Sequence, residues 1–203
     1  MMPKGRNDNH PKKGSSIKVH PIRCVEAIRQ IKLLLRDQPR NLCLFTLGIN
    51  TAYRANELLS LTVGQVRGLK VGDVLEVKQS KTSEYRSIVL NRVSVTALNN
   101  WLACHPKGCE AKAPLFLSRR GRRALSVSAV NRLVKNWCKH VELAGNFGSH
   151  SLRKTWGYHQ RVTCRASVAL LMKAFGHASE AQTLEYLCVL PDEIKALYLG
   201  LEL

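Results

Sequence analysis

Acidic residues are scarce. Fourteen Asp and Glu stand against thirty-two Lys and Arg, leaving a formal charge of +18 with the histidines neutral. Long apolar runs are missing too. A spanning helix needs about 20 consecutive apolar residues, and no stretch approaches that, although 45% of the 203 residues are hydrophobic. The opening MMPKGRNDNHPKKGSSIK holds no apolar core and does not read as a secretory leader. No internal repeat recurs. The acid deficit has the widest consequence, because so large an excess of one sign repels itself in a compact chain. A polyanion partner relieves that repulsion, and neutralising phosphates releases counterions with an affinity that falls steeply with salt. An anionic membrane surface is the rival, but no segment pairs a Lys-rich face with a bulky apolar one beyond what a core would use.

The seven cysteines (24, 43, 104, 109, 138, 164 and 188) are odd in number and scattered. Most lie in apolar helical context, so they are expected as reduced, buried thiols. Cys104, His105 and Cys109 lie close together, yet two further ligands at a zinc spacing are not evident, and the stretch reads as a loop. No metal or cofactor is expected.

Residues 1–18, rich in Pro, Gly, Ser and basic side chains, read as a flexible basic arm. Apolar residues then recur at helical spacing from Ile22 to Leu35, with Pro39 ending or interrupting that helix. Helices are predicted near 41–49 and from Ala55, then a hairpin over 73–90 with a turn from Lys81 to Arg86. A helix over 93–102, an edge strand at 114–117, and an exposed basic loop, Arg119 to Arg123, follow. Ser126 or Ser128 caps a helix over 129–144. Helices near 151–163, 165–175, 180–188 and 192–199 complete the chain. The class is α+β, mainly α, with a small antiparallel sheet inserted among helices.

Four short strings lie on this scaffold. Arg54 and Glu57 stand in Thr51-Ala52-Tyr53-Arg54-Ala55-Asn56-Glu57-Leu58. Lys81 stands in the hairpin turn, ahead of Arg86 and Ile88-Val89-Leu90, with Lys78 as an alternative. His150-Ser151-Leu152-Arg153-Lys154-Thr155 opens a helix. Phe175-Gly176-His177 precedes Tyr186 by nine residues, counted from His177. Taken singly, each has a plain structural explanation: Tyr186 as core beside Leu184 and Leu187, His177 as a loop residue, Arg54 as a partner of Glu57. Trp156 and Tyr158 read as packing. Together and in order, the strings resemble the catalytic domain of the tyrosine recombinases, the phage integrase family. That family's first box is Thr-Gly-x-Arg-x-x-Glu-Leu, so Ala52 departs from its pattern. Its second box is His-x-Leu-Arg-(Arg/Lys)-Thr.

The resemblance implies the family's catalytic-domain fold and a covalent 3′-phosphotyrosyl intermediate with a free 5′ hydroxyl, formed without metal or ATP. The residue types suit that chemistry. Arg54 and Arg153 have planar forks that hold non-bridging phosphate oxygens and stabilise transition-state charge. Tyr186 is the nucleophile, a weak one at an ordinary pKa of about 10, so it needs neighbouring cations and a base. His150 fits the acid/base role, Lys81 the protonation of the leaving 5′ oxygen, and His177 a hydrogen bond to a non-bridging oxygen. Glu57 supports the pocket from one helical turn away. Lys154, Arg119, Arg120, Arg122 and Arg123 are candidates for phosphate contact.

Fifty-three residues precede Arg54. The expected organisation is therefore an arm, 1–18, and a catalytic domain, 19–203, without the N-terminal clamp domain usual in the family. A naturally single-domain recombinase, a remnant and an excised fragment all fit; Met1 and the basic arm suit a complete short chain. The expected partner is double-stranded DNA, bound as a dimer or tetramer and not at a membrane, in the cytoplasm and associated with the nucleoid. A mobile-element integrase fits this description. The competing functions are a DNA-binding regulator on the same fold without strand exchange, and supercoil relaxation in the manner of type IB topoisomerases. The segment after Tyr186, 189–203, is apolar after a Pro break and is expected to dock on a neighbouring subunit.

Overall fold

The computed structural model describes residues 18–78, 85–118, 123–189 and 191–200. The first helix, α1 (Val25–Leu34), buries Ala27, Ile31 and, just past its end, Leu35, while Val25 and Leu34 face outward. Only one stripe of an amphipathic helix can face the core. Pro39 does not end α1. It opens α2 (Pro39–Gly48), at the position where a missing N–H costs nothing. Helix α2 is buried almost all round. It approaches α7 (Ser149–Val162) so closely that a Cβ on Gly48 would lie 2.6 Å from Leu152 Cδ1.

Two short helices follow, α3 (Ala55–Ser60) and α4 (Val63–Val66), the second not foreseen from the sequence. Strands β1 (Val74–Lys78) and β2 (Tyr85–Val89) pair antiparallel, with Val77 opposite Arg86 and Leu75 opposite Ile88. Tyr85 and Arg86 therefore belong to the returning strand and not to the turn. Alternation directs Leu75, Val77 and Arg86 inward and leaves Val74, Tyr85 and Val89 exposed. The buried Tyr53 hydroxyl donates to the Leu75 carbonyl at 2.6 Å, fastening the sheet to the chain ahead of α3.

After α5 (Arg92–Ala103), the segment 114–117 is not an edge strand. It makes single bridges, Thr62 with Pro114 and Leu117 with Ala124, and the Trp101 indole N–H donates to the Leu115 carbonyl. His105 also reaches the Pro114 and Leu115 carbonyls, which explains it as loop structure. Helix α6 (Val127–His140) begins and ends earlier than its apolar pattern suggested; Ser126 is the cap, accepting from Ala129 N–H. Helices α8 (Val168–Phe175), α9 (Glu180–Leu187) and α10 (Pro191–Leu199) complete the order.

The main core joins Ile31, Leu44, Phe45, Leu58, Phe116, Val134 and Trp137 among others. A second, small cluster of Ala52, Leu171, Phe175 and Leu187 has Trp156 and Tyr186 packed against it. Full burial of a side chain such as Phe175 contributes roughly 1.5–3 kcal/mol. Two cysteines, 43 and 138, are buried; Cys24, Cys104, Cys109 and Cys164 are exposed and Cys188 is half-buried, so most thiols are not core residues. No described helix is long and apolar enough to cross a membrane.

Candidate active site

Four elements converge above the small cluster. Arg54 is the N-cap of α3, and Glu57, three residues on, accepts from the Arg54 backbone N–H at 2.6 Å and from its guanidinium at 2.9 Å. Glu57 is 3% exposed. The same carboxylate faces Arg86 Nε at 3.5 Å and Arg153 Nη1 at 3.9 Å. One buried carboxylate thus serves three guanidiniums, an arrangement that the spacing of Arg54 and Glu57 alone did not reveal.

Helix α7 supplies His150, Arg153 and Lys154 from its first turns. Its N-terminus is fixed by Ser151 Oγ, which accepts from Gly148 N–H at 3.0 Å, and by the Asn131 side chain, which accepts from Ser149 N–H at 3.0 Å. Arg153 is 1% exposed and donates to two carbonyls, Ala52 and Phe175. Burial lowers its pKa to about 10, with the Tyr186 phenol opposing and Arg54 reinforcing the shift, so it stays charged at neutral pH. The Ala52 carbonyl is aimed at it by a left-handed backbone (φ 57°). Such a conformation costs a non-glycine residue roughly 1–2 kcal/mol.

Gly176 ends α8 in the left-handed conformation (φ 59°) and turns the chain to His177. Arg86 occupies the space beside it, where a Cβ on residue 176 would lie 2.7 Å from Nη2, and donates to the Ala174 carbonyl at 2.8 Å. His177 stacks on Phe175 and meets Thr183 Oγ1 through Nδ1 at 3.1 Å. Burial, then the Arg153, Arg54 and Arg86 charges, bring its pKa down to about 4.

Tyr186, on α9, sits edge-on to Phe175 and His177 with ring centroids 5.1 Å apart in each case. Arg153 lies over its ring at 5.8 Å and the Lys154 ammonium at 5.0 Å. Its hydroxyl is 3.5 Å from His150 Nδ1, a long contact. Burial raises the phenol's pKa, with Arg153 and Arg54 opposing. Desolvation, then Arg153, Arg54 and Lys154, lowers that of His150. At neutral pH the pair is a phenol and an imidazole, the protonation states from which a base-assisted attack by the phenol begins.

The structure therefore brings Arg54, Glu57, His150, Arg153, His177 and Tyr186 into one cluster. Lys154 is not a surface cation: it is 8% exposed and donates to Cys188 Sγ at 3.2 Å. Arg123 is exposed and lines a separate cleft of about 660 Å³ with Arg40 and Arg132. Lys81, Arg119, Arg120 and Arg122 lie outside the described residues, as do residues 1–17 of the basic arm. Lys78, the alternative hairpin lysine, is exposed at the end of β1.

The sequence profile of the phage integrase family matches residues 25–192. The chain belongs to the phage integrase family. It is 32% identical over 183 residues to the probable integrase/recombinase YoeC of Bacillus subtilis strain 168, covering 89% of this chain and 95% of that one. It is 30% identical over 149 residues to the tyrosine recombinase XerC of Caldanaerobacter subterraneus subsp. tengcongensis, covering 72% of this chain and 40% of that one, so the chain spans less than half of that relative. Among solved structures, XerA recombinase superposes with a TM-score of 0.74 at 18% identity, over 93% of this chain and 66% of that one. XerH bound to its difH substrate before cleavage gives 0.65 at 22% identity, over 91% and 56%. These likenesses establish the recombinase catalytic-domain fold.

Within this phage integrase fold, Arg86 joins the cluster although its sequence string marks it only as a hairpin landmark. Its signal was present, an arginine at an inward position of an otherwise apolar strand face, but inwardness could not be read while Arg86 was assigned to the turn.

Proposed function

We propose that this chain breaks and rejoins DNA one strand at a time, with Tyr186 as nucleophile. The observation that carries this reading is a charge surplus around one phenol. Arg54, Arg86 and Arg153 gather beside Glu57, the Lys154 ammonium lies over the Tyr186 ring, and both neighbouring imidazoles are held towards their neutral forms. Guanidinium forks in such a cluster match the non-bridging oxygens of a phosphodiester, whose negative charge the gathered cations favour. Tyr186 Oη attacks the phosphorus and the bond to the 5′ oxygen breaks. The phenol proton goes to His150, and the 5′ oxygen takes a proton from Lys81. Arg54, Arg153 and His177 hold the non-bridging oxygens. The phosphodiester survives as a tyrosyl ester, so another strand's 5′ hydroxyl can reverse the step.

Arg54, with a third of its side chain open, meets the phosphate first. Arg153 is buried with the Phe175 and Tyr186 rings against its guanidinium, so the Tyr186 ring is expected to shift as the phosphate enters. Exchange between two duplexes needs a tyrosine at each cut, so two or four copies act together on double-stranded DNA.

The test is a duplex carrying the candidate target with a nick that lets the cleaved fragment escape. A protein–DNA adduct that survives denaturant is expected, and Tyr186→Phe abolishes it while leaving DNA affinity within about twofold. Intact fold and binding with no adduct on any flanking sequence would instead favour a regulator without strand exchange.

A further inference from the structure

The chain enters the fold along a strap, residues 18–23, that runs past the site on the side of α9. Ile22 is fully buried; its N–H donates to Thr155 Oγ1 at 2.8 Å and its carbonyl meets His159 Nε2 at 3.1 Å, both on α7. His20 N–H donates to the Asn146 carbonyl at 2.8 Å, and the Asn146 side-chain amide donates to the Lys18 carbonyl at 3.0 Å. So fastened, the strap touches the tyrosine helix on both sides of Tyr186. Lys18 pairs with Glu185 at 3.0 Å, and Arg23 Nη2 donates to the Cys188 carbonyl at 3.3 Å. The Lys18–Glu185 pair is largely exposed and contributes little.

Arg23 carries more. Its guanidinium lies 5.6 Å from the Tyr158 ring centroid, and its Nε is buried. The carbonyl it holds belongs to a residue in a strained conformation: Cys188 caps α9 in the left-handed region (φ 54°), which a non-glycine residue adopts only when neighbours impose it. Those neighbours include Arg23 at the carbonyl and Lys154 at the thiol, beside the thiol's own contacts with the Glu185 and Tyr186 carbonyls. Lys154 in turn lies over the Tyr186 ring. The C-terminal end of α9 is therefore set from two sides, two residues beyond the phenol.

We propose that Arg23 is a positioning residue for the nucleophile: by holding the Cys188 carbonyl it fixes the end of α9, and with it the approach of Tyr186 to the phosphate. The proposal rests on the strand-cleavage reading above. Arg23 acts on the phenol through the Cys188 carbonyl, so on this proposal it sets the rate of attack and not the affinity for DNA.

The experiment is single-turnover adduct formation on the nicked duplex at several protein concentrations, with wild type, Arg23→Met and Arg23→Lys. Methionine keeps the stem over Tyr158 and removes the donors; lysine keeps a donor for the carbonyl. Expected are a tenfold or greater fall in the saturating rate for Arg23→Met, a half-saturating concentration within twofold of wild type, and recovery of at least half the rate in Arg23→Lys. An unchanged rate, parallel loss of rate and DNA affinity, or a lysine variant no better than methionine overturns the proposal. Wild-type protein that forms no adduct overturns the strand-cleavage reading and this one with it, whereas equal adduct formation in wild type and Arg23→Met overturns this one alone.

Discussion

His177 stays neutral in the folded chain down to about pH 4, against an ordinary value of 6.5, because burial and three guanidiniums penalise its charged form. Between those values the unfolded chain binds more protons than the folded one, so stability falls as pH drops through the window. His150 is shifted in the same direction. Denaturant midpoints measured from pH 7 to pH 4.5 are expected to decline, and His177→Asn should flatten part of that decline. At this scale much was legible. The clustering of Arg54, His150, Arg153, His177 and Tyr186 could be foreseen because each lies in a short string whose neighbours belong to the same motif. Ala52 could be seen to depart from the family's glycine, but not that it keeps the left-handed backbone with its carbonyl turned to Arg153. Arg86 and Arg23 were illegible as site residues, since their partners lie 88 and 165 positions away in the chain.

Elements are joined at the site by single side chains. Arg86 ties β2 to the end of α8 through the Ala174 carbonyl and to α3 through Glu57. Replacing it by Met leaves that carbonyl unpaired and the Glu57 cluster short of one cation. A loss on the order of 3 kcal/mol is expected, as for other broken buried ion pairs, with cleavage falling further than binding as the Gly176–His177 turn loosens. Chemical denaturation and adduct assays on the same preparation check both parts. Most helices and their order were readable from apolar spacing, α4 excepted, whereas boundaries were not. Pro39 opens a helix instead of closing one, and the 114–117 run, apolar enough for a strand, has its carbonyls claimed by Trp101 and His105.

Over the whole molecule, an excess of eighteen positive charges sets the expected behaviour on DNA. If about five phosphates are neutralised, affinity should fall by roughly two to three orders of magnitude between 50 and 200 mM salt. Fluorescence anisotropy with a labelled duplex across that range gives the slope, and a shallow one would mean that most of the surplus faces away from the nucleic acid.

The placement of the Tyr186 ring over Arg153 has a kinetic corollary. In the proposed reaction the nucleophile and one of the phosphate-holding guanidiniums lie against each other. On that reading, readying the tyrosine and opening the guanidinium to a phosphate are one movement instead of two.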